Sequence, residues 1–201
     1  MAIKTLADLR TDAQVIKNEV TTGANTALRV GTFMDEFLES LDTIRGGLWE
    51  FTLDGTYTGS TQPLTIAAGV KTKITIDGGA QRLKSPNFVG DLWNTSTNKF
   101  TPLVENDFYS MRLAISGWSD IAAVNRFDVE FDVAGTSGVI GRETGVFAKG
   151  AGNAQSFNFV AGFFAGGDFL ANGGEIYITP FADASFWEIA VTINRTYTPE
   201  V

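Results

Sequence analysis

Apolar residues recur at helical spacing over the first 45 positions and at strand spacing from residue 46 onward. With Leu6 as position a of a heptad, the a series reads Leu6, Ala13, Val20, Ala27, Met34, Leu41. The d series reads Leu9, Ile16, Gly23, Val30, Phe37, Ile44. All but Gly23 are apolar. A helix lying on its own domain drifts about 20° per heptad from a strict 3.5 repeat, so register held this long favours helices wound around one another. If continuous, residues 6–44 form a rod of about 58 Å. Asp12 at g then meets Lys17 at e of a neighbour, which supports parallel strands.

The cluster Thr21-Thr22-Gly23-Ala24-Asn25-Thr26 interrupts the seam. Asn25 is a good N-cap, so a second helix over 27–44 is the alternative to one long helix. Phe33 at g and Leu38 at e widen the stripe beyond a two-stranded seam, which suits three or more helices or a socket in another protein. A single helix packed on its own β-domain shows the same a/d pattern and is the plain alternative.

Beyond residue 46 the period is two. Phe127, Val129, Phe131 and Val133 alternate with Asp128, Glu130 and Asp132, so one face of that strand is apolar and the other wet. Tyr109, Met111, Leu113 and Ile115 alternate in the same way, as do Trp187, Ile189, Val191, Ile193 and Arg195. Shorter strands are predicted near 48–53, 71–77, 144–149, 156–165 and 175–180. Glycine clusters at 77–79, 150–153, 166–168 and 172–174 punctuate them, with no helical stretch between. The fold class read from this is mainly β with an N-terminal helical segment: an antiparallel sandwich, jelly roll preferred to immunoglobulin, following a short coiled coil. Residues 1–45 form the helical attachment and trimerisation segment, 46–87 a β-rich connector and 88–201 the knob.

Composition sharpens the boundary. Residues 1–45 hold two of the 22 glycines and none of the five prolines. The chain carries a net charge of -8 with no histidine and no cysteine. Imidazole acid-base chemistry, Ser-His-Asp and Cys-His triads, the usual zinc sets and disulfides are thereby excluded. An acidic chain is repelled by nucleic acid phosphate, and the polar start MAIKTLADLRTDAQVIK is neither a signal peptide nor a membrane span. The expectation is a non-enzymatic protein with no cofactor, no metal, no nucleic acid and no membrane partner.

Several motifs have a plainer reading beside the functional one. The triplet Asp128, Glu130, Asp132 has carboxylates about 7 Å apart on one strand face, a spacing that calcium binding or a general acid-base pair would use. A solvated strand face produces the same spacing and is the default. The glycines of 145–150 match a P-loop, but Ala151 stands where its lysine belongs. The sequons at Asn94 and Asn194 have no secretion signal to give them meaning. In Phe163-Phe164 one ring must leave its own core, to be buried by a subunit interface or by a crossing loop. Trp93 and Trp118 lie beside amides and hydroxyls, as in sugar-binding sites; tryptophan plugging the mouth of a sandwich is the rival reading.

Further stretches carry a family likeness. Residues 23–31 (GANTALRVG) leading into 33–41, then Asp91-Leu92-Trp93-Asn94, Asp107 with Met111-Arg112, Phe169-Leu170-Ala171-Asn172-Gly173-Gly174 and Ile193-Asn194-Arg195 resemble tailed-bacteriophage fibre proteins. The resemblance covers 20–45 and, more loosely, 88–197. It implies a helical segment that fastens to the head or tail of a virion and a trimeric β-knob like the C1q and tumour necrosis factor jelly roll. The expected chain is a homotrimer assembled in the host cytoplasm, bound to capsid or tail proteins by its N-terminus, with a host glycan or protein at the knob. Its interface is assigned to Val20, Ala27, Val30, Met34, Phe37, Leu41 and Ile44 of the seam, and to Phe164. The alternatives are a capsid decoration without host ligand and a carbohydrate-active enzyme using the outward carboxylates.

Overall fold

In the computed structural model, which describes residues 6–18, 34, 48–86, 88, 90–133 and 138–198, two long strands organise the β-region. They are β7 (Phe108–Ser119) and β12 (Ala184–Tyr197), antiparallel neighbours in the middle of one sheet. Odd-numbered residues of β7 from Tyr109 to Ile115 are all buried, as the alternation predicts. Around this pair, sheet A runs β10 (Gln155–Phe164), β7, β12, β1 (Trp49–Leu53), β4 (Gln81–Lys84), with β2 (Leu64–Ile66) also on β12. Sheet B runs β5 (Trp93–Asn94), β6 (Lys99–Phe100), β11 (Gly174–Pro180), β8 (Asn125–Val133), β9 (Gly138–Phe147), with β3 (Thr72–Lys73) also on β11.

The protein is therefore mainly β, in two antiparallel sheets stacked as a sandwich. Residues 46–87, expected as a connector, instead supply strands to both sheets: β1, β2 and β4 to one, β3 to the other. These strands have two to five residues, too few for periodicity to place them. The glycine cluster at 166–168, read as a turn, opens a six-residue helix. Helix α1 spans Leu6–Asn18 and this short helix, α2, spans Gly167–Asn172. Helix α2 buries Phe169, and Gly173 at φ 73° closes it by donating its N–H to the Phe169 carbonyl.

The core is aromatic. Phe127 meets Phe147, Phe157, Phe159 and Phe186 at centroid distances of 4.9–5.7 Å, three of these contacts edge-to-face. Edge-to-face rings gain about 0.5–1.5 kcal/mol per pair beyond the area they bury. The Phe127 ring folds over Gly145 of the neighbouring strand, where an added Cβ would lie 2.3 Å from it. Only glycine lets this ring reach the other sheet. Phe100, Tyr109, Phe163 and Phe169 build a second aromatic group, which ties α2 to the strands.

Two ends of the sandwich follow from the connections. Leu48, which accepts the N–H of Arg195, lies beside the last turn of β12, so the N-terminal segment joins at that end. At the opposite end, backbone hydrogen bonds join Gly69 to Pro180, Asp120 to Asp183, Gly150 to Ala122 and Gly152 to Ser119. Four loops there are woven into one cap.

Candidate self-association face

Strand β1 reads Trp-Glu-Phe-Thr-Leu, and alternation alone turns the three apolar residues inward. The structure does the reverse. Glu50 and Thr52 are buried at 1% and 0% exposure, while Trp49, Phe51 and Leu53 lie half-buried on the outside of sheet A. The register agrees, because these three sit opposite Asn194, Thr192 and Ala190, which share the outward side with Ser110, Arg112 and Ala114.

The inward carboxylate explains the reversal. Arg82 donates to Glu50 Oε1 through Nε at 2.8 Å and Nη2 at 2.6 Å, and Thr52 Oγ1 adds a third bond at 3.1 Å. The N–H groups of Leu92 and Trp93 donate to Oε2 at 2.6 and 3.3 Å. A buried charge is tolerable only when paired and fully hydrogen-bonded, and five bonds meet that demand here. Arg82 reaches on to Asp91 at 2.8 Å, so one cluster holds β1, β4 and β5 together.

With β1 turned this way, the outer face of sheet A carries apolar side chains among polar ones. One row across it reads Val160, Arg112, Thr192, Phe51, Leu83. Val160 is 60% exposed and Leu83 47%. Nearer the N-terminal segment, Phe164, Phe108 and Tyr197 stand opposite one another on three adjacent strands, 58%, 39% and 55% exposed. Tyr197 joins them through a bulge between Arg195 and Tyr197. Beneath this row lie Tyr109, Asp107 and Arg195, all buried. The Tyr109 hydroxyl donates to Asp107 at 2.6 Å, and burial with that bond pushes its ionisation well above the usual tyrosine range. Arg112 is the one charge in the row, and it is engaged by Asn158 at 2.9 and 2.6 Å.

Exposed apolar side chains such as Phe164, Phe108 and Tyr197, grouped on adjacent strands, are what an interaction surface presents. Phe164 takes part in it and Phe163 is buried in the core, as the Phe163-Phe164 pair required. Met34 is also exposed, at 46%. Val20, Ala27, Val30, Phe37, Leu41 and Ile44 lie outside the described residues. Of the earlier seam, Leu9 is buried at 3% and Ala13 is exposed. Phe108, Tyr197, Val160, Leu83, Phe51 and Trp49 were not singled out from the sequence. Val160 and Phe164 were readable there as the residues out of phase with Phe157, Phe159 and Phe163, whereas Phe51 and Trp49 depended on the partners of Glu50.

The other sequence candidates resolve one by one. Trp93 is no sugar platform: it is fully buried and its indole N–H donates to the Ile76 carbonyl at 3.0 Å, so it plugs the sandwich. Trp118 is half-buried, with its indole N–H on Asp120 at 3.1 Å. The acidic strand face is not simply wet. Lys71 lies 2.8 Å from Glu130 and 3.4 Å from Asp132, Arg142 also pairs with Glu130, and Thr144 donates to Asp128 at 2.8 Å. The hydrogen bond from Lys71, with burial opposing and Arg142 assisting, holds the Glu130 carboxyl below the usual range. These carboxylates are neither a free acid-base pair nor, among the described residues, part of a cluster that fits a metal ion. Among the described residues no helix is long and apolar enough to cross a membrane.

No protein-family model matches the chain, and no curated protein matches it in sequence. Among solved structures it is similar to the Eiger TNF of S. frugiperda, with 9% identity and a TM-score of 0.46 over 77% of this chain and 94% of that one. It is also similar to the PRD1 vertex protein P5, with 9% identity and a TM-score of 0.44 over 75% of this chain and 73% of that one. No statement about this chain's function rests on either likeness.

Proposed function

We propose that this chain is a non-enzymatic structural component of a bacteriophage virion, a short homotrimeric fibre or knob. Its N-terminal helical segment fastens to head or tail proteins, and its β-sandwich is displayed outward toward the host surface. The observation that carries the self-association is the outer face of sheet A, where Val160, Leu83, Phe108, Phe164 and Tyr197 are exposed in a single chain. The heptad seam of residues 6–44 supports the same reading, since rods and knobs that both bury apolar surface between copies reinforce one another. The residues quoted for the fibre resemblance supply the virion context. Three weak contacts linked in one particle gain avidity without a strong single site.

Light scattering of the full chain tests the assembly. Three times the 21.6 kDa of one chain is expected at micromolar concentration. A monomer would overturn the reading. Val30→Asp, which sets a charge in the seam, should weaken the trimer; an unchanged mass would move the interface wholly to the sandwich. Labelled protein imaged on its particle then reports head or tail, and a capsid decoration without host ligand would show no binding to host cells.

A further inference from the structure

The outer face of sheet A changes character at the end remote from Leu48. The Trp118 ring lies 4.7 Å from Trp187, tilted by 54°. Trp187 belongs to this face because of a bulge: pairing between β12 and β7 skips from Trp187 to Ala190, and Glu188 adopts φ 51°. Trp187 thus leaves the inward series that alternation predicts for it with Ile189 and Val191. A left-handed backbone at a non-glycine residue is strained, and such strain concentrates where a side chain must be aimed. Here it leaves the Glu188 side of the strand exposed, while its N–H donates to the Tyr57 carbonyl at 2.7 Å.

Polar groups share this face with the indole. Ser116 Oγ donates to Glu188 Oε2 at 3.0 Å and lies 3.0 Å from Ser156 Oγ. Ser116 and Trp118 are two residues apart on β7, hence on one face and about 7 Å apart. Asp120 holds the indole N–H.

We propose that this corner is a saccharide-binding platform, with Trp118 stacked under a sugar ring and Glu188, Ser156 and Asp120 taking its hydroxyls. A pyranose has an apolar C–H face and a rim of hydroxyls. An indole bordered by carboxylates and hydroxyls matches both, the ring covering the C–H face and the oxygens meeting the rim. Trp187 packs against Trp118 and limits its freedom beforehand, so less entropy is lost on binding. Glu188 and Asp120 make the platform acidic, which selects neutral or amino sugars and repels sulfated or uronic ones. The site lies within one chain and does not depend on the trimer.

The test titrates the full chain with maltohexaose, cellohexaose and chitohexaose, with a heparin hexasaccharide as the acidic counterpart. Tryptophan fluorescence and saturation-transfer NMR are the readouts. At least one of the three uncharged oligosaccharides should bind at millimolar concentration and the heparin fragment should not. Trp118→Ala should weaken binding about 10-fold or more. Glu188→Gln, at an exposed position, should weaken it about 10-fold without unfolding the chain, so it reads the site even if Trp118→Ala fails to fold. Val146→Ser on the other sheet should leave binding unchanged. Silence from all three sugars, tighter binding of the heparin fragment, or binding indifferent to both Trp118→Ala and Glu188→Gln overturns the proposal. Light scattering on the same samples separates its failure from failure of the assembly, because a trimer that binds none of the sugars sinks this site alone.

Discussion

The two outer faces of the sandwich are built from the same alternation and differ in how many of their side chains are tied into ion pairs. On sheet B, Lys71 pairs with Glu130 and Asp132, Lys73 and Lys99 with Glu175, and Arg142 with Glu130, while Asp128 accepts from Thr144 and Val139, Ile140 and Val146 stay exposed. Sheet A turns outward Trp49, Phe51, Leu83, Val160, Phe164, Phe108 and Tyr197, and keeps the Glu50 carboxylate inside. A charged face satisfies itself against water. Exposed apolar side chains do not, which is why the proposed contact between copies is placed on sheet A.

The residue on which the comparison turns is Glu50. Glu50→Ala leaves Arg82 and two backbone N–H groups without their acceptor, and should cost about 3 kcal/mol in urea unfolding, since removing one partner of a buried pair strands the other. A loss near zero would mean that β1 keeps its orientation for some other reason. Next in size is the apolar face itself. Val160→Asp combined with Phe164→Asp should raise the dissociation constant of the assembly about 100-fold in sedimentation analysis, the loss expected when central apolar anchors are removed. Because both side chains are largely exposed in one chain, stability of the monomer should move by no more than about 0.5 kcal/mol.

Sheet B should respond to acid. Glu130 sits below its ordinary 4.5 through Lys71 and Arg142. Glu175 is pushed up by burial but pulled further down by Lys73 and Tyr177. A carboxyl depressed in the folded state stabilises it fully above 4.5, and that contribution is lost as pH falls through the folded value. Thermal midpoints should therefore fall below pH 4.5, and Glu130→Gln should flatten this limb. Lys71 is raised above 10.5, chiefly by its bond to Glu130, so its contribution holds below 10.5 and disappears at more alkaline pH. Tyr177, hydrogen-bonded to Glu175, is pushed up to about 12 and stays neutral throughout. The smallest effect is Arg142→Ala: with Arg142 58% exposed, the pair is worth at most about 1 kcal/mol. Molar salt should erase that difference, while leaving the apolar contact intact.

The sequence is legible where a long strand keeps its alternation unbroken. Strands β7, β8 and β10 show their inward residues by alternation alone, and Phe164 was legible as the ring left outside. It failed where a distant partner decides the matter. Glu50 points inward because Arg82 and the backbone of Leu92 and Trp93 meet it there, and no local pattern records that. Trp187 points outward because of a single-residue bulge at Glu188. Trp93, by contrast, fills the sandwich as the plug reading of the sequence has it, with its N–H on the Ile76 carbonyl.

Hydroxyl-radical footprinting of the full chain in solution tests the central claim most directly, because it reads both faces in one sample. In a single chain, Val160, Phe164 and Tyr197 of sheet A are as open as Val146 and Phe181 on the other side, all at 50–60%. Coverage of sheet A by other copies predicts slower oxidation of Val160 than of Val146, and of Phe164 than of Phe181. Equal rates on both faces, at a concentration where the protein is assembled, would contradict it.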